Sequence, residues 1–122
     1  MGKYVMKVNE KGASFNLVAG NGEVIGRSEH YTTESACVNG IESVKKNAPV
    51  APVEDQTKEG SSEKNPKFEV YKDKAGEFRF RLKARNGEII LASEGYVSKA
   101  GCLNGIDSVK RNAESEVKKA EA

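Results

Sequence analysis

"CVNGIESVKKNA" at residues 37–48 and "CLNGIDSVKRNA" at residues 102–113 decide how this chain folds. In the first, Cys37, Ile41, Val44 and Ala48 recur at steps of four, three and four, which stacks them on one face of an α-helix. Cys102, Ile106, Val109 and Ala113 repeat that spacing in the second. Each helix nevertheless carries an Asn-Gly pair, Asn39 with Gly40 and Asn104 with Gly105. A glycine inside a helix costs about 0.5–1 kcal/mol relative to alanine. Its appearance in both stretches implies a compensating benefit, and the expectation is that a missing side chain beside Ile41 or Ile106 lets the helix backbone lie close to a sheet.

The match extends outward from these words. Residues 21–48 laid over 86–113 keep Asn21/Asn86, Gly22/Gly87, Ile25/Ile90, Ser28/Ser93, Glu29/Glu94 and Tyr31/Tyr96, as well as most of the helix. Further upstream Tyr4 falls on Phe68, Phe15 on Phe80 and Leu17 on Leu82, with one extra residue after Gly76. The chain is therefore an internal duplication. Two copies are too few for a solenoid and predict a closed pair related by a pseudo-twofold axis.

Each copy reads as three strands followed by a helix. "FRFRLKAR" alternates Phe78, Phe80, Leu82 and Ala84 against Arg79, Arg81, Lys83 and Arg85, the period of a half-buried strand. Asn86 and Gly87 then supply a tight turn before the return strand "IILAS", and Asn21 and Gly22 do the same in the first copy. There Gly26 replaces Leu91 and is expected to shorten the third strand. Thr33 and Ser98 are placed to cap the helices, and Pro49 stops the first one. The predicted organisation is a first β-β-β-α unit at 1–48, a linker at 49–66, a second unit at 67–113, and a helix extension or disordered tail at 114–122. "PVAPVED" in the linker has enough valine for a short edge strand near 50–55, and Thr57 to Asn65 reads as mobile.

With 122 residues, 37% of them hydrophobic, the chain suits one domain with its own core. No apolar run approaches the length of a membrane span, and "MGKYVMKVNE" lacks the apolar centre of a secretory signal, so a cytoplasmic protein is expected. A net charge of +2 argues against an obligate nucleic-acid binder. The excess is local: residues 65–122 hold 12 Lys and Arg against 9 Asp and Glu.

The order of turn, "NGE", "SE.Y" and "C.NGI.SVK.NA", present twice, resembles the YegP-like family, a bacterial and archaeal domain of unknown function. That resemblance implies an α+β fold in which tandem β-β-β-α units share one antiparallel sheet with two helices packed on it. It also implies an exchange of strands between units after the helix. It brings no catalytic residue, cofactor or activity.

Four cations on one strand face, Arg79, Arg81, Lys83 and Arg85, form the sharpest surface feature and a candidate binding site. They could track a phosphate backbone. No stacking aromatic shares their face, however, and the first copy has Asn16 and Val18 in place of two of them, so a solvated face paired with glutamates is the simpler reading. Cys37 and Cys102 sit near helix starts, where a thiolate is favoured, but they share the apolar stripe and His30 is the sole histidine. Tyr31 and Tyr96 read as packing anchors. Together Tyr31, Cys37, Asn39, Gly40 and Ile41, with Tyr96, Cys102, Asn104, Gly105 and Ile106, form a structural signature rather than a catalytic one. The expectation is a non-catalytic monomer without metal or cofactor that binds a protein or small ligand through the outer sheet face or the seam between units. Nucleic-acid binding through the basic strand is the alternative.

Overall fold

The computed structural model describes residues 2–60 and 62–120; Met1, Ser61, Glu121 and Ala122, at the ends of the first unit and the tail and within the linker, lie outside the described residues. Strands β1 (Lys3–Asn9), β2 (Gly12–Val18) and β3 (Val24–Arg27) precede helix α1 (Glu34–Asn47). A short strand β4 (Val53–Asp55) leads to β5 (Lys67–Lys72), β6 (Phe78–Lys83), β7 (Ile89–Ala92), helix α2 (Lys99–Asn112) and β8 (Glu116–Ala120). All eight strands form one sheet in the order β4-β5-β6-β7-β3-β2-β1-β8, and the two helices pack on it.

The sheet is mixed rather than wholly antiparallel as expected. β4 runs parallel to β5, and β8 runs parallel to β1. The cause is the exchange itself: after each helix the chain crosses to the far edge of the other unit and enters it in the direction of that unit's first strand. The valine-bearing linker segment does supply an edge strand, at Val53–Asp55. The tail is neither a helix extension nor a disordered end, because its described part forms β8 with five paired positions along β1. α2 stops at Asn112 with Ala113 as its cap, so no proline is needed to end it. Lys118, Lys119 and Ala120 are good helix formers, but the open backbone edge of β1 offers hydrogen bonds that a frayed helical end cannot match. Part of the linker is also tied down: Lys58 N–H donates to Asp55 O at 3.2 Å, and Glu63 N–H to Glu54 Oε1 at 2.9 Å.

The helix starts follow the sequence reading. Thr33 Oγ1 accepts from Ala36 N–H and Ser98 Oγ from Gly101 N–H, each at 3.0 Å, satisfying one free donor of the first turn. In the turns between second and third strands only the glycine is left-handed, with φ of 89° at Gly22 and 85° at Gly87. Asn21 and Asn86 contribute differently: each Oδ1 accepts from the N–H two residues on, at 3.0 Å.

The core is duplicated ring by ring. Tyr4 meets Phe15 edge-on at 5.8 Å and Phe68 meets Phe80 at 6.0 Å, while Tyr31 stacks on Phe15 at 6.4 Å and Tyr96 on Phe80 at 6.3 Å. Ile41, Val44, Ile106 and Val109 close over these rings from the helices. Gly40 and Gly105 have a sharper purpose than closeness to the sheet backbone. A Cβ on Gly40 would fall 2.7 Å from Tyr31 Cζ, and one on Gly105 would fall 2.9 Å from Tyr96 Cζ and 3.0 Å from Phe80 Cε2. Each glycine is the seat of the tyrosine that precedes its own helix.

The units join at β3 and β7, where Arg27 pairs with Ala92. Gly26 does not shorten its strand, since β3 and β7 both have four residues. It makes room instead, because a Cβ there would fall 2.6 Å from Leu91 Cγ. α1 lies over β1 and β2 and reaches β7, and α2 lies over β6 and reaches β3, so both helices straddle the seam.

Candidate functional site

The four cations of β6 and its following turn do not form a free phosphate track. Arg79 Nε lies 2.6 Å from Asp73 Oδ2, and Arg81 Nε lies 2.6 Å from Glu69 Oε1 with its guanidinium 4.7 Å above the Tyr71 ring. Lys83 Nζ is 3.4 Å from the second Glu69 oxygen, as is Lys67 Nζ. Glu69 is only 2% exposed although it stands on the face away from the helices, because these side chains enclose it. Its carboxyl is held below the usual range by Arg81, Lys83 and Lys67, which outweigh the opposing effect of burial. Arg85 alone of the four makes no ion pair among the described residues, and it sits past the strand end in the β6–β7 turn.

The signature residues are mostly structural. Cys37 and Cys102 are free thiols, both 0% exposed. Burial pushes the Cys37 thiol up, with Glu34 adding to it, and burial together with Asp55 pushes Cys102 up to about 11. Neither environment favours the thiolate that nucleophilic attack needs. His30 is exposed, and its Nε2 lies 2.9 Å from Lys11 O. No cluster of metal-ligating side chains occurs among the described residues.

Unengaged charge gathers at the seam instead. Asn39, Glu42, Ser43, Lys46 and Asn47 follow one another at steps of three and one, which lines them along one face of α1 beside the apolar stripe. That face looks across the seam to Ala84, Arg85 and Asn86 in the β6–β7 turn, and the two sides flank an open cleft of about 360 Å³. Lys46 and Glu42 are exposed and make no ion pair with any described residue. Asn47 is only 5% exposed. Its Nδ2 donates to Ser43 O at 2.8 Å and lies 3.0 Å from Ser43 Oγ, which fixes the amide orientation because a carbonyl can only accept. Asn47 Oδ1 therefore faces the other way and takes no donor among the described residues.

The second copy shows what the same side chains do when satisfied. Asp107 and Arg111, equivalent to Glu42 and Lys46, pair at 2.8 Å. Asn112 repeats the Asn47 geometry, donating to Ser108 O at 2.8 Å, but its Oδ1 accepts from Gly2 N–H at 3.1 Å. The strand registers, Lys3 opposite Val18 and Lys67 opposite Lys83, put Pro66 at the place of Gly2 in the other unit. Proline has no N–H to give. Arg85 likewise replaces Gly20. Three differences thus leave the first helix, among the described residues, with an acceptor that has no protein donor, an acid without an ion pair and two cations without one around one cleft.

A larger recess, about 560 Å³, lies between Gln56, Thr57, Tyr71, Lys72, Phe78 and Lys99. Its cations are already engaged, Lys99 with Asp55 at 2.9 Å and Lys72 over the Phe78 ring at 5.3 Å, so the smaller cleft is the better candidate. Sequence reasoning picked out Arg85 and Asn39 but not Glu42, Ser43, Lys46 or Asn47. These four match their counterparts in the second copy too well to stand out; the usable signals were the mismatches Gly20/Arg85 and Gly2/Pro66.

Residues 10–55 and 73–118 match the family described as a domain of unknown function, DUF1508. A UPF0339 protein of Mannheimia succiniciproducens is 42% identical over 118 residues, covering 96% of this chain and 92% of that protein. A UPF0339 protein from the ptx operon 5′ region of Stutzerimonas stutzeri is 69% identical over 51 residues, and the match spans 42% of this chain and 46% of that protein, less than half of either. The solution NMR structure of YegP from E. coli, a protein of unknown function, superimposes with a TM-score of 0.81 at 32% identity, covering 99% of this chain and 94% of that one.

Proposed function

The chain belongs to the DUF1508 family, whose function is unknown, and from that premise we propose that it is a non-catalytic, monomeric, cytoplasmic binding domain that takes a small ligand bearing an anionic group in the cleft between α1 and the β6–β7 turn. The observation that carries this reading is the contrast between the two copies. Around α2 the acid and base neutralise each other and the carboxamide is filled, whereas around α1 the cations Lys46 and Arg85 face one cleft without an ion-pair partner among the described residues. Buried thiols with raised pKa support binding over catalysis. Seats of this size, lined by a few convergent polar groups, suit small molecules. No described helix is long and apolar enough to cross a membrane.

Ligand-observed NMR of the full chain against pooled small carboxylates and phosphates, zwitterions included, tests the proposal. Binding should appear, and Arg85→Glu or Lys46→Glu should weaken it by about tenfold or more, because a cation contact is exchanged for a repulsion. Undiminished binding in both variants would move the site elsewhere.

A further inference from the structure

The chemistry of the cleft narrows its occupant. On that reading of the site, we propose that the ligand is a small zwitterion, a protonated amine beside a carboxylate, the chemistry shared by a free α-amino acid and a short peptide. The cleft offers two kinds of partner. Lys46 and Arg85 give N–H donors, and Arg85 can hold a carboxylate through two of them. Glu42 and the Asn47 Oδ1 are acceptors only. An anion without a donor would meet the Glu42 carboxylate as a like charge and leave Asn47 unfilled. A cation alone would leave Lys46 and Arg85 unmet. Only a ligand with both signs answers all four groups.

The second copy shows which donor such a carboxamide takes. There the equivalent oxygen, Asn112 Oδ1, receives the backbone N–H of Gly2 at 3.1 Å, so a nitrogen donor on a peptide-like skeleton is the partner this carboxamide accepts. The first copy has no such internal donor, because the residue before Lys67 at the matching register is a proline, which carries no N–H. A cleft of about 360 Å³ matches the size of an amino acid or dipeptide.

The experiment uses the 15N-labelled full chain. It is titrated with a mixture of the twenty common α-amino acids and, separately, with glycylglycine; N-acetylglycine, glycinamide and inorganic phosphate serve as probes that carry charge of one sign only. The proposal expects a zwitterion to shift the Asn47 side-chain amide and the backbone signals of 84–86. The Asn112 side-chain amide, filled by Gly2, should stay unmoved. Binding should weaken about tenfold or more when the bound species is N-acetylated or amidated. Glu42→Gln, a change at an exposed position, should weaken the zwitterion by a similar factor while leaving phosphate unaffected or tighter. Comparing the amino acids with glycylglycine separates the two sources of this chemistry. If phosphate or N-acetylglycine binds as well as any zwitterion and Glu42→Gln changes nothing, the zwitterion assignment falls while the anion site survives through its dependence on Arg85. If no probe shifts α1 or the 84–86 turn, both fall.

Discussion

Gly40→Ala should destabilise this protein, against the ordinary rule for helices. In an exposed helix interior the change is favourable by about 1 kcal/mol, since alanine is the better helix former. Here the new methyl carbon would lie 2.7 Å from Tyr31 Cζ and nearer still to the hydroxyl oxygen, well inside van der Waals contact. The ring has little freedom to retreat. It stacks on Phe15 at 6.4 Å, and its backbone exchanges two 2.8 Å hydrogen bonds with Ala13. Overpacking of this kind costs about 1–3 kcal/mol, so the net change should be unfavourable by up to about 2 kcal/mol after the propensity gain. For a chain of this size that lowers Tm by up to about 10 °C. Gly105→Ala should be worse, because its Cβ also meets Phe80 Cε2 at 3.0 Å and Phe80 is 0% exposed. A double-mutant cycle by urea denaturation isolates the cause. In a Tyr31→Leu background, where the ring tip is gone, Gly40→Ala should change sign and stabilise by about 0.5–1 kcal/mol. A gain in Tm for Gly40→Ala in the unaltered chain, or no change of sign in the cycle, would refute the account of glycine as the seat of the tyrosine.

The ion pairs of β6 predict unequal costs along one strip. Arg81→Ala leaves Glu69, whose side chain is 3% exposed, with the 3.0 Å hydrogen bond from Gln56 Nε2 and the longer 3.4 Å contacts of Lys67 and Lys83, and should cost about 2 kcal/mol in urea melts, whereas Arg85→Ala should stay within about 0.5 kcal/mol. Acid sensitivity should centre on Glu54, whose carboxyl is held down to about 2 by hydrogen bonds from Gln56, Glu63 N–H and Lys67. Its folded pKa lies below the unfolded value of 4.5, so its contribution is complete above about pH 4.5 and is lost as pH falls toward 2. Glu54→Gln should therefore flatten the stability profile across that window, and an unchanged slope would exclude Glu54 as the source. Both thiols should react slowly with a disulfide reagent at pH 8 and at once when denaturant is added, because each is 0% exposed and Cys102 ionises only near 11.

Much of the fold was readable because the duplication printed each signal twice. Helix faces, caps, the alternation of β6 and the glycine turns all depend on neighbours within a few residues. The edges depended on something more distant. "EVKKA" has the local preferences of a helix end, and its strand identity comes from β1, more than a hundred residues earlier. The duplication held a usable hint, since "PVED" follows α1 where "EVKKA" follows α2, and what one unit does after its helix the other should repeat. Gly26 was misread for a related reason: its role is set by Leu91 across the seam, a contact that no local pattern encodes. The basic strip was legible as charge but not as charge already spent, because Asp73 and Glu69 lie on neighbouring segments whose register fixes the pairing.

The cleft lay deeper still, since what distinguishes it is a break in symmetry. Two identical units related by a true twofold axis would be bound to treat both carboxamides alike, filling both or neither. Fusion in one chain removes that constraint. Gly2 can fill Asn112 while Pro66 withholds the same bond from Asn47, and Arg85 can stand where the other copy keeps Gly20. The changes cost the scaffold little: the aromatic pairs in the two halves agree to within about 0.2 Å and both amides keep their bond to the serine carbonyl. The core stays close to symmetric while single positions around it, Gly26 against Leu91 at the seam and Gly2 against Pro66 beside the helix ends, are free to differ, because fusion requires the two copies to share a fold and not every contact.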